Sequence, residues 1–221
     1  MHIEPGVVDG AKIFLSVATA GVACALTAKA TLDTVRAQGL RSTLLRTLIA
    51  TLIVFCSFEV LWHHPVGVSE VHLILGSTLF LLFGLAPTAI GLSLGLLIQG
   101  VFFAPTDLPQ LGMNVTTLLM PLFALAALAP QIVKPSTAYV DLSYRQTLKL
   151  SLIFQGGVVA WVAFWTLYGQ GVNATTLSGL ATFAAAYSVV ILFEPLLDLG
   201  ILAAVKGSRL QESLALERNA T

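Results

Sequence analysis

Seven apolar stretches, near residues 11–30, 44–62, 71–84, 86–103, 115–133, 147–168 and 176–205, leave this chain few ways to fold. A main-chain amide or carbonyl in hydrocarbon needs an internal partner. Stretches this apolar therefore hide their backbone as helices packed together in a bilayer. About twenty apolar residues cover a ~30 Å hydrocarbon core. The third stretch, "VHLILGSTLFLLFG", is short for that task. It is expected to tilt inward or to be shielded by neighbouring helices rather than by lipid. Only 10% of the 221 residues are charged, against about 25% in soluble domains. The chain thus reads as an all-α membrane bundle of about seven transmembrane helices, a single membrane domain over residues 1–221.

Charge placement gives the expected orientation. Lys29, Arg36, Arg41 and Arg46 fall between the first and second stretches, and Lys134, Arg145 and Lys149 between the fifth and sixth. Lys206, Arg209 and Arg218 follow the seventh, which leaves only Lys12 elsewhere. Positive loops stay cytoplasmic, so the amino terminus is expected outside and the carboxyl terminus inside, with residues 206–221 as a cytoplasmic tail. Residues 1–10 carry Glu4 and Asp9 and no positive run, so they do not read as a signal peptide. The net charge is zero, which offers nothing to nucleic acid. Cys24 and Cys56 lie inside apolar runs without a Cys-x-x-Cys spacing and read as small core residues.

All four histidines, His2, His63, His64 and His72, fall on the expected outer side. Imidazole is the commonest metal-ligating side chain. His2 follows Met1 directly. A free Met1 amine, the His2 backbone nitrogen and the His2 Nδ1 close adjoining five- and six-membered chelate rings, which places three nitrogens in a plane. Planar nitrogen donors suit nickel(II) or copper(II), with cobalt(II) also accepted. Ten residues of extended chain, at ~3.3 Å each, let residues 1–10 fold back into the outer mouth. His72, at a helix end, is then the best fourth donor. The plain alternatives are a solvated His2 and, for His63 and His64 beside Trp62, residues at the membrane interface.

Other polar residues have two readings each. Glu59, near the outer end of the second span, either orients an imidazole or snorkels to the interface. Glu194 and Asp198, one turn apart on the last span, either pair with Lys206 or face a partner subunit. Ser16, Ala20, Cys24 and Ala28 recur every four residues on the first span. Such a small-residue stripe brings a partner helix close in lipid, or packs against the chain's own spans.

The opening "MHI" with Gly6, the stretch "PVGVSEVHLILGSTLFLLFGLAPTAIGLSLGLLIQGVFF" and the stretch "DLPQLGMNVTTLLMP" together resemble the CbiM/NikM family. Its members are the substrate-capturing membrane subunits, or S components, of energy-coupling factor transporters for cobalt and nickel. The resemblance covers roughly residues 1–130 well and the rest by topology. It implies a metal site made by Met1, His2 and His72. It also implies an Asn114 that holds the folded-back terminus by hydrogen bonds; the residue-level alternative is a cap on the fifth span. It implies a transmembrane coupling subunit, in contact with the first helix, and separate ATPase subunits, with a small accessory membrane subunit in some systems. One departure stands out. The family often shows a His-x-Pro pattern and then Glu-Gly near its last helix, whereas this chain has "FEPLLDLG", with Phe193 in place of the histidine.

The chain has no Gly-x-x-x-x-Gly-Lys-Ser/Thr loop, no His-Glu-x-x-His and no Gly-x-Ser-x-Gly, so ATP hydrolysis is expected on another chain. The resulting expectation is a non-enzymatic subunit, without a cofactor, in a prokaryotic inner membrane. It captures Co2+ or Ni2+ from outside for ATP-driven uptake. The competing readings are a copper or other metal permease, a membrane metalloenzyme and a non-catalytic assembly subunit. The residues do not separate cobalt from nickel.

Overall fold

The computed structural model describes residues 3–61, 63–134 and 137–219, with side chains to residue 208. The helices are α1 (Ile13–Gln38), α2 (Leu40–Phe55), α3 (Gly76–Phe83), α4 (Leu85–Phe102), α5 (Leu111–Ile132), α6 (Tyr144–Gln170) and α7 (Ala174–Asn219). A hairpin of β1 (His64–Val66) and β2 (Ser69–Val71) precedes α3. Six helical segments are long and apolar enough to cross a membrane, and the chain is an integral membrane protein. α7 continues to Asn219, so residues 206–219 prolong the last helix rather than form a separate tail.

The course of the chain follows from how the helices touch. A Cβ on Gly91 would lie 2.7 Å from the Ala50 Cβ, and one on Gly95 2.5 Å from the Val54 Cγ1. Farther along, the Gln99 amide donates to the Phe58 carbonyl at 3.3 Å. Residue numbers rise together on both helices, so α2 and α4 are parallel, and the two glycines let their backbones approach closely. The connection between parallel helices must travel back the length of α2. A non-helical stretch over residues 71–75 followed by the eight residues of α3 has a reach of at most about 28 Å. α5 and α6 are antiparallel, since Trp161 donates to Thr116 at 3.2 Å while Gly157 faces Pro121. The bundle thus makes seven passes with only six full-length helices.

The third stretch departs from expectation: residues 72–75 are not helical, and a short helix completes the pass. Leu75 adopts φ 59°, the left-handed region that a branched side chain disfavours. Cys24 and Cys56 are exposed rather than in the core. In a membrane bundle the outward face is apolar as well, so an apolar run does not place a thiol inside.

The two ends of the bundle differ in chemistry. At one end Lys12 donates to the Gly169 carbonyl at 2.6 Å, and a Cβ on Gly67 in the hairpin turn would meet the Gly179 carbonyl oxygen at 2.6 Å. At the other end Lys206 donates to the Leu142 carbonyl at 2.6 Å, and Ser143 with Gln146 forms a capping box that starts α6. His63, His64 and His72 belong to the first end. Lys29 and Arg36 on the second half of α1, and the later basic residues Arg41, Arg46, Lys134, Arg145 and Lys149, lie towards the second.

Candidate metal site

Ile3, the first described residue, lies inside the bundle. It is fully buried and forms an antiparallel bridge with Ser69 of β2. Its amide donates to the Asn114 Oδ1 at 2.7 Å. The Glu4 amide donates to the Val68 carbonyl at 3.2 Å, and Val7 and Val8 are buried against the core. The amino-terminal segment therefore folds back into the bundle as a third strand-like edge to the hairpin. Met1 and His2 lie outside the described residues.

Asn114 is not the cap of its helix, because α5 starts three residues earlier at Leu111. Its side chain is 1% exposed, and an Asn there spends its carbonyl oxygen on the folded-back chain. A buried amide left without an acceptor costs about 1–3 kcal/mol, so this bond decides where the segment lies.

His72 is fully buried in the segment after β2. Its Nε2 sits 2.9 Å from the Glu70 Oε2. Residues i and i+2 of an extended segment point to the same side, which is how this pair meets. A carboxylate on one ring nitrogen fixes the ring and assigns the other nitrogen, Nδ1, to a further partner. The Phe58 ring lies against the imidazole at 5.1 Å between centroids. His63 stacks on it at 5.3 Å and 18°. His63 is therefore a cover for His72 rather than only an interfacial residue, while His64 lies exposed on β1, paired with Val71.

Phe58 owes its position to a π-type turn, Cys56–Val60, that ends α2. The Leu61 amide reaches back to the Cys56 carbonyl at 3.0 Å, and the widened turn is a common device at functional sites. Glu59 lies in this turn with its carboxylate 3.4 Å from the Gln99 amide. The carboxylate that orients His72 is Glu70, not Glu59. The sequence carries only its two-residue spacing from His72 as a signal.

Glu194 and Asp198 also differ from expectation. Both are buried, at 0% and 1% exposure, and neither pairs with Lys206, whose ammonium is held by the Leu142 carbonyl and lies 5.2 Å from the Tyr144 ring. Glu194 accepts hydrogen bonds from the Ile74 amide and from Gln155, and Tyr187 donates to the Gln155 Oε1 at 2.5 Å. Asp198 accepts from Ser77 at 2.6 Å. The signal for both was a carboxylate inside a membrane helix, which is costly unless engaged. Phe193 is 55% exposed; a histidine there would face away from this interior.

The small-residue stripe of α1 divides. Ser16 is buried where a Cβ on Gly112 of α5 would meet its carbonyl oxygen at 2.9 Å, so this part packs internally. Cys24 and Ala28 instead line an open groove of about 500 Å3 with Ile90 and Leu94 of α4, and Ala20 is half-buried between the two. Among the described residues no group of three or more His, Cys, Asp or Glu side chains is placed to hold a metal ion.

The family model for the CbiM cobalt uptake substrate-specific transmembrane region matches residues 2–212. No curated protein matches the chain. A solved structure described as a truncated transition metal transporter shares the fold, with a TM-score of 0.65 at 17% identity over 96% of this chain and 99% of that one.

Proposed function

The chain belongs to the CbiM family of cobalt uptake substrate-specific transmembrane proteins, and from that premise we propose that it captures Co2+ or Ni2+ at the outer face of a prokaryotic inner membrane as the S component of an energy-coupling factor transporter. The ligands in this reading are the Met1 amine, the His2 backbone nitrogen and imidazole, and the His72 Nδ1. The observation that carries it is the burial of Ile3 between Asn114 and Ser69. It anchors the chain two residues from its start, within about 7 Å of covalent reach, beside the strand that leads to His72. Glu70 supports the same reading, because it holds the Nε2 and so directs the Nδ1 towards the ion.

Four nitrogens in a plane select for nickel(II), copper(II) or cobalt(II) over magnesium and calcium, which prefer oxygen. The positive-inside rule applied to the basic end of the bundle puts the histidines outside and the carboxyl terminus inside. The exposed α1 positions Cys24 and Ala28 then face the coupling subunit. Separate ATPase subunits drive release, which requires the terminus to withdraw or its amide nitrogen to be reprotonated.

His72→Ala tests the reading directly. The purified protein with its native terminus is expected to bind one Ni2+ or Co2+, and His72→Ala, which removes a ligand rather than a ligand's partner, to bind it at least about 100-fold more weakly while remaining folded. Unchanged stoichiometry and affinity in His72→Ala would refute the assignment.

A further inference from the structure

We propose that Glu194, on the seventh helix, is a positioning residue for the metal site: its carboxylate fixes the main chain just after His72 and thereby sets how the imidazole enters the site. This rests on the reading of His72 as a ligand. The argument starts from the broken third pass. Residues 72–75 are non-helical inside a membrane bundle, so their amides lack the partners that a helix would supply. Glu194 supplies one to Ile74. One carboxylate oxygen accepts from the Ile74 amide, two residues beyond His72.

The brace is itself held. The other oxygen of Glu194 accepts from Gln155 on α6, and Gln155 is fixed by the Tyr187 hydroxyl at 2.5 Å. Glu194, Gln155 and Tyr187 are all fully buried. Immediately downstream, Gly76 leaves room for the Phe154 ring, whose nearest atom would lie 2.1 Å from a Cβ at that position. One turn below Glu194, Asp198 takes the Ser77 hydroxyl at the start of α3. The segment 74–77 is thus gripped from α6 and α7.

The strain confirms that the grip has work to resist. Leu75 is the only non-glycine residue with positive φ among the described residues, at 59°. A branched side chain persists there only where surrounding contacts over-determine it. Without Glu194 the apolar run 71–84 has every reason to continue as regular helix upstream of Gly76. A helix through residues 70–72 would turn the Glu70 and His72 side chains about 200° apart instead of to one side, and the 2.9 Å contact that orients the imidazole would be lost. A residue on the last helix therefore controls a ligand from the third pass.

The test uses the full chain with its native terminus, purified in detergent, with Ni2+ as the probe. Its readouts are affinity and the visible absorption of the bound ion, which reports the donor set. Glu194→Leu removes both acceptors. It is expected to lose at least about tenfold in affinity and to take on the absorption spectrum of His72→Ala. Glu194→Gln keeps an acceptor oxygen for Ile74, and Gln155 turns its amide to accept from the new one. It is expected to restore the wild-type spectrum within about threefold of wild-type affinity. Wild-type spectrum and affinity in folded Glu194→Leu would overturn the inference, as would Glu194→Gln behaving like Glu194→Leu. If Glu194→Leu does not fold, Glu194→Asp takes its place, since it keeps the charge and withdraws the carboxylate by one methylene. Glu194→Asp is then expected to give the shifted spectrum, and a wild-type spectrum from it overturns the inference. A wild-type protein that binds no Ni2+, or a His72→Ala spectrum identical to wild type, removes the site reading and this inference with it. A His72 effect without a Glu194 effect removes the inference alone.

Discussion

The Ile3 amide and the Asn114 Oδ1 meet at 2.7 Å across 111 positions of sequence, inside the bundle. Among the described residues few bonds join partners so far apart in sequence, and this one joins Ile3 to the first turn of the fifth helix. Replacing Asn114 by Leu leaves the buried Ile3 amide without its acceptor, a cost of about 1–3 kcal/mol. That cost falls on docking of the terminus rather than on the helices, which keep their own backbone bonds. Asn114→Leu is therefore expected to weaken Ni2+ or Co2+ about 10–100-fold with little change in helix content. Asn114→Asp, which keeps the acceptor oxygen, is expected to lose less. Titration of the ion beside circular dichroism checks both.

How much of this was legible beforehand depends on the range of the forces involved. The spans were, because hydropathy is local: each of the six long helices announces itself in its own residues. The length of the segment before the first span allowed residues from Ile3 onward to reach back into the bundle, whereas Met1 and His2 lie outside the described residues. The break at 72–75 was not legible. "VHLILGSTLFLLFG" is mostly apolar and carries no Gly or Pro before Gly76, and the groups that interrupt it, Glu194 and Asp198, belong to a helix about 120 positions away. Glu59 drew attention because it stands inside a span, whereas Glu70, in what reads as a loop, makes the contact. Strand periodicity in three residues, Ser69–Val71, is too short a signal to be seen without the bridge to Ile3.

Glu70 gives the second prediction. Its carboxylate holds the Nε2 of His72 at 2.9 Å, and such partners of metal-ligating histidines typically matter 10–100-fold in affinity. Glu70→Ala is expected to fall in that range, at about tenfold or more. Glu70→Gln retains an acceptor for the Nε2–H and is expected to lose less than Glu70→Ala. Competition titration with a chelating dye measures both. Equal loss in the two variants would mean that the negative charge, not the orientation of the ring, is what Glu70 contributes.

Gly91 supports a prediction about the scaffold rather than the site. Its missing side chain lets α4 lie against Ala50, with only 2.7 Å available to a Cβ. Gly91→Leu forces the parallel pair α2 and α4 apart, and overpacking of this kind costs about 1–3 kcal/mol or more. The thermal midpoint of the purified protein is expected to drop by several degrees, on the order of 2–8 °C. Met120→Leu, a volume-conserving change at a half-buried position of α5, is the control and is expected to leave the midpoint within about 2 °C of wild type.

The last prediction concerns the α-amine itself. If Met1 contributes a ligand, the chain must begin at Met1 with nothing before it. An added amino-terminal tag turns the amine into an amide and removes the basic end of the three-nitrogen chelate. A carboxyl-terminal tag extends α7 beyond Asn219, at the opposite end of the bundle, and is expected to be harmless. Bound nickel or cobalt, measured by elemental analysis, is therefore expected near one ion per chain in the carboxyl-tagged protein. It is expected to be strongly reduced in both the amino-tagged protein and His2→Ala. Proteolytic removal of the amino-terminal tag, leaving Met1 first, is expected to restore the ion. Equal metal content in the two tagged forms would sink the terminal-amine site, and His72 would then have to find its partners among residues other than Met1.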